Sequence, residues 1–234
     1  LKLVNGFTIE DRQLTRLVLD FDASKSVHRA GNSGMWILNP VIKVHQESYA
    51  LVSGQIAGSD NGNMTDTVIS AQSYADDGTE NELEKITVEG STLADYNATT
   101  GNATYALILS PGTYNIVASK TGYEAKCTRL TLNATDRVSQ DFLLSKSSLG
   151  SINGTVQYDD PLSNSTYAVL SFRQQLDCDD ESQRVEIGRQ IAYDDYTSSS
   201  FSWNYNATLT NGTYQVVAAV RNATTIFDQD STTV

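Results

Sequence analysis

The stretch Ser110–Ser119, SPGTYNIVAS, and the stretch Thr210–Ala219, TNGTYQVVAA, spell nearly the same ten residues 100 positions apart. Each opens on a short polar turn, Ser110-Pro111-Gly112 or Thr210-Asn211-Gly212, built from residues that favour turn dihedrals. Each turn follows an alternating run. In ATYALIL, Ala103, Tyr105, Leu107 and Leu109 share one face, and in FSWNYNATL the odd positions Phe201, Trp203, Tyr205, Ala207 and Leu209 do the same. A period of two marks a half-buried antiparallel strand. The copied decapeptide therefore reads as the turn and returning strand of a hairpin, written twice.

The offset of 100 also holds at the other end of the unit, where VSGQIAG (Val52–Gly58) aligns with INGTVQY (Ile152–Tyr158). A fixed period at both ends is the mark of an internal repeat. Further strand signals are DTVISAQSY, EAKCTRLTL and VSQDFLL in the first unit, and TYAVLSFRQQL, RVEIGRQIAY and TTIFD in the second. Six or seven short strands in roughly 100 residues is a sandwich pattern. No stretch keeps a 3.6-residue period over three turns, and ENELEKI reads as one helical turn or a loop. The expectation is an all-β chain: a β-strand segment at 1–48, then tandem antiparallel β-sandwich modules at 49–146 and 147–234. The first module has strands as far as Leu144, whose equivalent lies past Val234, so the second is expected to lack its last strand.

The motifs SGQIAG and SPGTYNIVASKTGYEA resemble the carboxypeptidase regulatory-like domain, a transthyretin-type sandwich. The resemblance rests on Gly112-Thr113-Tyr114 and Gly122-Tyr123, and on Gly154 and Gly212-Thr213-Tyr214 in the second unit. It implies non-catalytic appended modules. Leu19-Asp20-Phe21-Asp22-Ala23, Lys25-Ser26-Val27 and Leu38-x-Pro40-Val41-Ile42 resemble the C-terminal end of a prokaryotic lipoprotein domain, domain of unknown function 4382. That resemblance implies an exported surface protein.

Charge excludes one class of partner. The net charge of −12 argues against nucleic acid, which needs a basic face. Basic and acidic residues number 6 and 5 in 1–48, 6 and 12 in 49–146, and 4 and 11 in 147–234. An acidic surface of this kind reads either as ordinary solubility or as adaptation to high salt. No apolar run reaches the roughly 20 residues of a membrane span. No basic–apolar leader stands at Leu1, so any export signal is expected to have been removed.

Catalytic signatures are missing. Neither G-x-S-x-G, G-x-G-x-x-G, a phosphate-binding loop nor H-E-x-x-H occurs, and the two imidazoles, His28 and His45, read as surface residues. The cluster Asp177, Asp179, Asp180 and Glu181 offers hard oxygens for calcium without an EF-hand pattern, or else an acidic solvated loop. Asp20 and Asp22 alternate with Leu19 and Phe21, as on the solvated face of a strand. Phe201, Trp203 and Tyr205 form either a core face or a platform on which sugar rings stack, with Trp203 and Tyr205 the candidates for contact. Cys127 and Cys178, 51 apart, do not fall at equivalent places in the two units; free thiols are the default and an inter-module disulfide the alternative.

Asn-x-Thr occurs at Asn63, Asn97, Asn102, Asn133, Asn153, Asn164, Asn206, Asn211 and Asn222, none of them before residue 49. With 16 Asn and 50 Ser plus Thr in 234 residues, about 3 would arise by chance. These positions are either plain turn and strand residues or N-glycan acceptors on an exported, archaeal-type surface glycoprotein.

Two functions follow. One is a structural or adhesive surface protein, with copies of itself as partners in a fibre built by β-strand exchange, because open edges and spare strands such as TRLVLDFD and MWILNPVIKV invite pairing. The other is a carbohydrate-binding accessory module that engages polysaccharide or other cell-surface components. No cofactor is expected for either.

Overall fold

A computed structural model describes residues 15–21, 27–29, 36–38, 42–75, 81–97, 102–159, 167–193, 200–222 and 225–234. The fold is all-β. The strands are β1 (Thr15–Phe21), β2 (Val27–Arg29), β3 (Trp36–Leu38), β4 (Ile42–Ser48), β5 (Ala50–Gly58), β6 (Val68–Tyr74), β7 (Ile86–Leu93), β8 (Asp95–Asn97), β9 (Asn102–Leu109) and β10 (Gly112–Ser119). They continue as β11 (Lys126–Leu132), β12 (Arg137–Ser139), β13 (Phe142–Leu144), β14 (Leu149–Tyr158), β15 (Tyr167–Cys178), β16 (Glu181–Tyr193), β17 (Phe201–Thr210), β18 (Gln215–Arg221) and β19 (Ile226–Thr233). ENELEKI contributes one 3-10 turn, Glu82–Lys85.

Strand pairing recurs with the 100-residue offset. β5 pairs antiparallel with β9 as β14 does with β17, and β6 pairs with β10 as β15 does with β18. In the first half, the sheet β12/β13–β5–β9–β8 covers the sheet β7–β6–β10–β11, with Val52, Ile56, Leu107, Ile116 and Leu144 buried between them. In the second half, β14–β17 covers β16–β15–β18–β19 over a core of Val156, Leu170, Phe172, Phe201 and Val216. The pairs β1–β4 and β2–β3 form separate two-stranded sheets.

The Gly-Thr-Tyr motif has a local cause. The Tyr114 hydroxyl donates to the Ser110 carbonyl at 3.0 Å, and the Tyr214 hydroxyl to the Thr210 carbonyl at 2.8 Å. The phenol folds back over the turn it follows, and a Cβ at Gly112 would lie 2.8 Å from the Tyr114 hydroxyl. A side chain at Gly112 would push the phenol off the turn.

The two halves do not hang as separate beads. The returning strands are buried on both faces: Ile116 and Ala118 point into the first core while Asn115, Val117 and Ser119 face the other half and are also buried. In β15, Ala168, Leu170 and Phe172 enter the second core, whereas Val169, Ser171 and Arg173 are buried on the opposite face. Sheet therefore packs on sheet across the junction, where Leu83 joins Val169, Val217 and Ala219, and Val117 joins Val185.

Candidate functional site

The junction is where the chain concentrates its polar chemistry. β11 and β15 meet in parallel at one pair of residues, Cys127 and Cys178, and these are joined by a disulfide with their Cα atoms 4.8 Å apart. The default expectation of free thiols is corrected. The two cysteines break the offset because each half supplies one of them, from β11 and from β15.

The acidic cluster lies beside this bond. Cys178 pairs with Glu181 across a two-residue hairpin whose central residues, Asp179 and Asp180, sit at φ of 57° and 68°. Positive φ at both positions is the type I′ requirement, which Asp tolerates better than most residues. Asp179 Oδ2 accepts hydrogen bonds from the Thr128 hydroxyl at 2.6 Å and the Arg129 backbone N–H at 2.8 Å, and Glu181 lies 3.3 Å from the Arg129 guanidinium. The carboxylates fasten a hairpin tip to β11. Among the described residues no three His, Cys, Asp or Glu side chains are grouped as a metal site.

At the other end of the junction Arg173 is fully buried. Its Nε donates to Ser171 Oγ at 2.9 Å, and its Nη1 and Nη2 donate to the carbonyls of Glu82 and Leu83 at 2.7 and 2.9 Å. Burial pulls the guanidinium pKa below its ordinary value, opposed by the charges of Glu186 and Glu82. Glu186, itself nearly buried, accepts from Ser171 Oγ at 2.6 Å and from Arg189 Nη2 at 2.8 Å. Gln72 completes the set: its side-chain amide donates to the Glu186 carbonyl and accepts the Glu186 N–H, both at 2.8 Å. Arg173 and Gln72 make their hydrogen bonds to backbone groups across the junction, which favours one docking of the two halves.

A cleft of about 330 Å³ at the junction is lined by Asp66, Lys120, Tyr123, Gln174, Thr210 and Tyr214 among others. Lys120 Nζ donates to the Thr65 carbonyl at 2.6 Å, and no imidazole or second carboxylate lines the cleft among the described residues.

The aromatic trio faces inward. Phe201 is buried, and Trp203 and Tyr205 are half-buried against the second core, with their ring centroids 6.0 Å apart. The outward face of β14 and β17 carries instead a polar ladder in which Asn153 lies opposite Asn206 and Thr155 donates to Asn204 at 2.7 Å. Of the sequons, Asn63, Asn133 and Asn211 are exposed outside the strands, and Asn153 and Asn206 are exposed within strands. Asn102 and Asn222 are half-buried, and Asn97 ends β8. Asn164 and the side chains of Asp20, Asp22, His28 and His45 lie outside the described residues. Sequence reasoning missed Arg173, Gln72 and Glu186, although a lone Arg inside the apolar run AVLSFRQQL is a visible anomaly.

No family model matches the chain, so neither resemblance drawn from its motifs gains support from one. No curated protein is similar to it. Among solved structures, the chain is similar to a leucine-rich repeat protein from Bacteroides thetaiotaomicron, with 16% identity over 80% of this chain and 25% of that one, at a TM-score of 0.36. It is also similar to a streptococcal ancillary pilin (15% identity, 83% of this chain and 61% of that one, TM-score 0.31) and to a shaft pilin from Lactobacillus rhamnosus GG (10% identity, 79% and 93%, TM-score 0.32). The chain thus spans less than two thirds of the first two. Similarity at this level carries no argument about function. Among the described residues no helix is long and apolar enough to cross a membrane.

Proposed function

We propose that the chain is a non-catalytic structural segment of an extracellular surface protein, two sandwiches locked into one rigid spacer. The observation that carries this reading is the Cys127–Cys178 disulfide, which joins the halves where β11 and β15 meet edge to edge. Disulfides persist in oxidising compartments, outside the cytosol. Buried Arg173 and the hairpin tip at Asp179 support the same reading, because each fastens one half to the other at its own end of the junction. The acidic balance and the sequons fit a solvated, glycan-bearing exterior. Copies of the chain are its partners in an assembly. The carbohydrate alternative has no such support, since Trp203 and Tyr205 lie against the core.

Protease shaving of intact source cells, with peptide mapping in the absence of reductant, tests the reading. It expects peptides of this chain in the shaved fraction with Cys127 and Cys178 still linked. An intracellular chain with both thiols reduced overturns it.

A further inference from the structure

An asparagine followed by glycine is open to attack by its own chain, because glycine puts no side chain beside the attacking nitrogen. Asn-Gly occurs at Asn5, Asn61, Asn153 and Asn211, and the last three fall within the described residues. The reaction needs a glycine N–H that is not engaged elsewhere and a backbone that can bring it to the Asn side chain. Asn61 fails the first condition, since the Gly62 N–H donates to Asp60 Oδ1 at 3.0 Å. Asn153 fails the second. It lies inside β14, with Gly154 paired to Tyr205, and a strand holds each side chain perpendicular to the sheet plane that contains the next N–H.

Asn211 meets both conditions. It stands with Gly212 and Thr213 between β17 and β18, and all three are exposed. Its own N–H donates to the Ser148 carbonyl at 2.8 Å, whereas the Gly212 N–H has no acceptor among the described residues. A groove of about 330 Å³ lined by Asn211, Lys126, Cys127 and Gln174 admits water to the turn. The equivalent turn of the first half, Ser110-Pro111-Gly112, keeps the glycine and the tyrosine hydroxyl bond but carries proline where Asn211 stands. The turn at Asn211 also docks the halves. Thr210 Oγ1 accepts the Gly122 N–H at 3.1 Å and donates to the Tyr123 carbonyl at 3.0 Å. The Tyr214 hydroxyl closes the turn onto the Thr210 carbonyl.

We infer that Asn211 is a site of spontaneous deamidation, and that its isoaspartyl product loosens the docking of the two halves at Thr210. The Gly212 nitrogen, having lost its proton to hydroxide, bonds to Cγ of Asn211, and ammonia leaves from that carbon. Water then opens the cyclic imide at either of its carbonyls. Opening at Cγ gives aspartate. Opening at the main-chain carbonyl gives isoaspartate, with the chain running through Cβ and Cγ. The balance is water in and ammonia out, with a new carboxylate in either product. The isoaspartyl backbone is longer by an atom just after Thr210, so the turn no longer holds Thr210 Oγ1 against Gly122 and Tyr123 while Tyr214 closes it. Asn211 is also a sequon, so glycosylation and this reaction compete for the same amide nitrogen.

The full chain, made without glycosylation, is incubated at neutral and at mildly alkaline pH. Peptide mapping reads the converted fraction at each Asn-Gly, isoaspartyl-specific methylation separates the two products, and amide exchange is followed at Gly122 and Ile116. Asn211 is expected to convert about tenfold faster than Asn61 or Asn153, which must open locally first, and faster at the higher pH. In the isoaspartyl fraction, exchange at Gly122 is expected to rise about tenfold, with Ile116 in the first core unchanged. Asn211→Gln, whose longer side chain disfavours the ring, should keep the fresh Gly122 rate through the same incubation. Freshly made Asn211→Asp, which carries the charge without the added backbone atom, should keep it too. Conversion at Asn61 or Asn153 as fast as at Asn211 overturns the site. Unchanged Gly122 exchange in the isoaspartyl chain, or the full effect in fresh Asn211→Asp, overturns the loosening by backbone insertion.

Discussion

The carboxylate of Asp179 accepts a hydrogen bond from the hydroxyl of Thr128 at 2.6 Å, across the junction between two halves that are otherwise copies of each other. The bond exists only because the halves are docked, so it reports on docking. Asp179→Asn keeps the tolerance of positive φ but removes the charge, and is expected to lower stability by about 1 kcal/mol. Asp180→Asn, at the next turn position, should be near neutral. Urea midpoints at constant slope check both.

Replacing Cys127 and Cys178 together by Ser should cost about 2–4 kcal/mol, since the bond closes a loop of sequence separation 51. The loss should fall on both halves in one transition, because buried contacts beyond the disulfide couple them. Two separate calorimetric transitions in the variant would show that the noncovalent junction is weak.

Arg173→Ala leaves the Glu82 and Leu83 carbonyls and the Ser171–Glu186 pair without their buried partner. The expected loss is about 3–5 kcal/mol. Arg173→Lys retains the charge without the fork that reaches both carbonyls, and should recover only part of it. Chemical denaturation of the two variants side by side tests the ordering.

Lys146 lies 3.0 Å from Asp60, which also receives the Gly62 N–H and the Tyr123 hydroxyl. The hydrogen bond from Lys146, then that from Gly62, holds the Asp60 carboxyl below its ordinary 3.8. A lowered folded value means the contribution is complete above the ordinary value and is lost as pH falls through the folded one. Carboxyl-carbon titration by NMR should show this, and Lys146→Ala should move Asp60 upward.

The sequons are not equivalent. Asn153 and Asn206 are direct cross-strand partners, and side chains so placed have Cβ atoms roughly 4.5–5.5 Å apart. Native material should carry sugars on the exposed positions Asn63, Asn133 and Asn211 and on at most one of the facing pair. Glycopeptide mapping decides; unmodified peptides at all of these positions remove the glycan reading altogether.

How far the sequence could be read depended on which face of a strand was at issue. Alternation in ATYALIL and FSWNYNATL was legible because one face of each strand meets a core and the other meets water. The runs Ile116–Ala118, Ala168–Phe172 and Val216–Val220 do not alternate, which signals burial on both faces, but periodicity cannot name the second partner. Cys127 and Cys178 were obscured for the same reason: the offset compares equivalent places, and the bond joins places that are not equivalent. In Asp177–Glu181 the acidity stood out, while the left-handed turn it builds is a property of two backbone φ values.

Burial on both faces also bears on ancestry. A duplicated domain ordinarily remains divisible, and either copy can be lost or moved by recombination. Here Val117 and Gln72 on one copy, and Val169 and Arg173 on the other, would each be uncovered by a cut between them. Such a cut would leave a sticky apolar sheet with an unmatched cation at its centre. The heritable unit is therefore the pair, and shuffling should carry both copies together or neither.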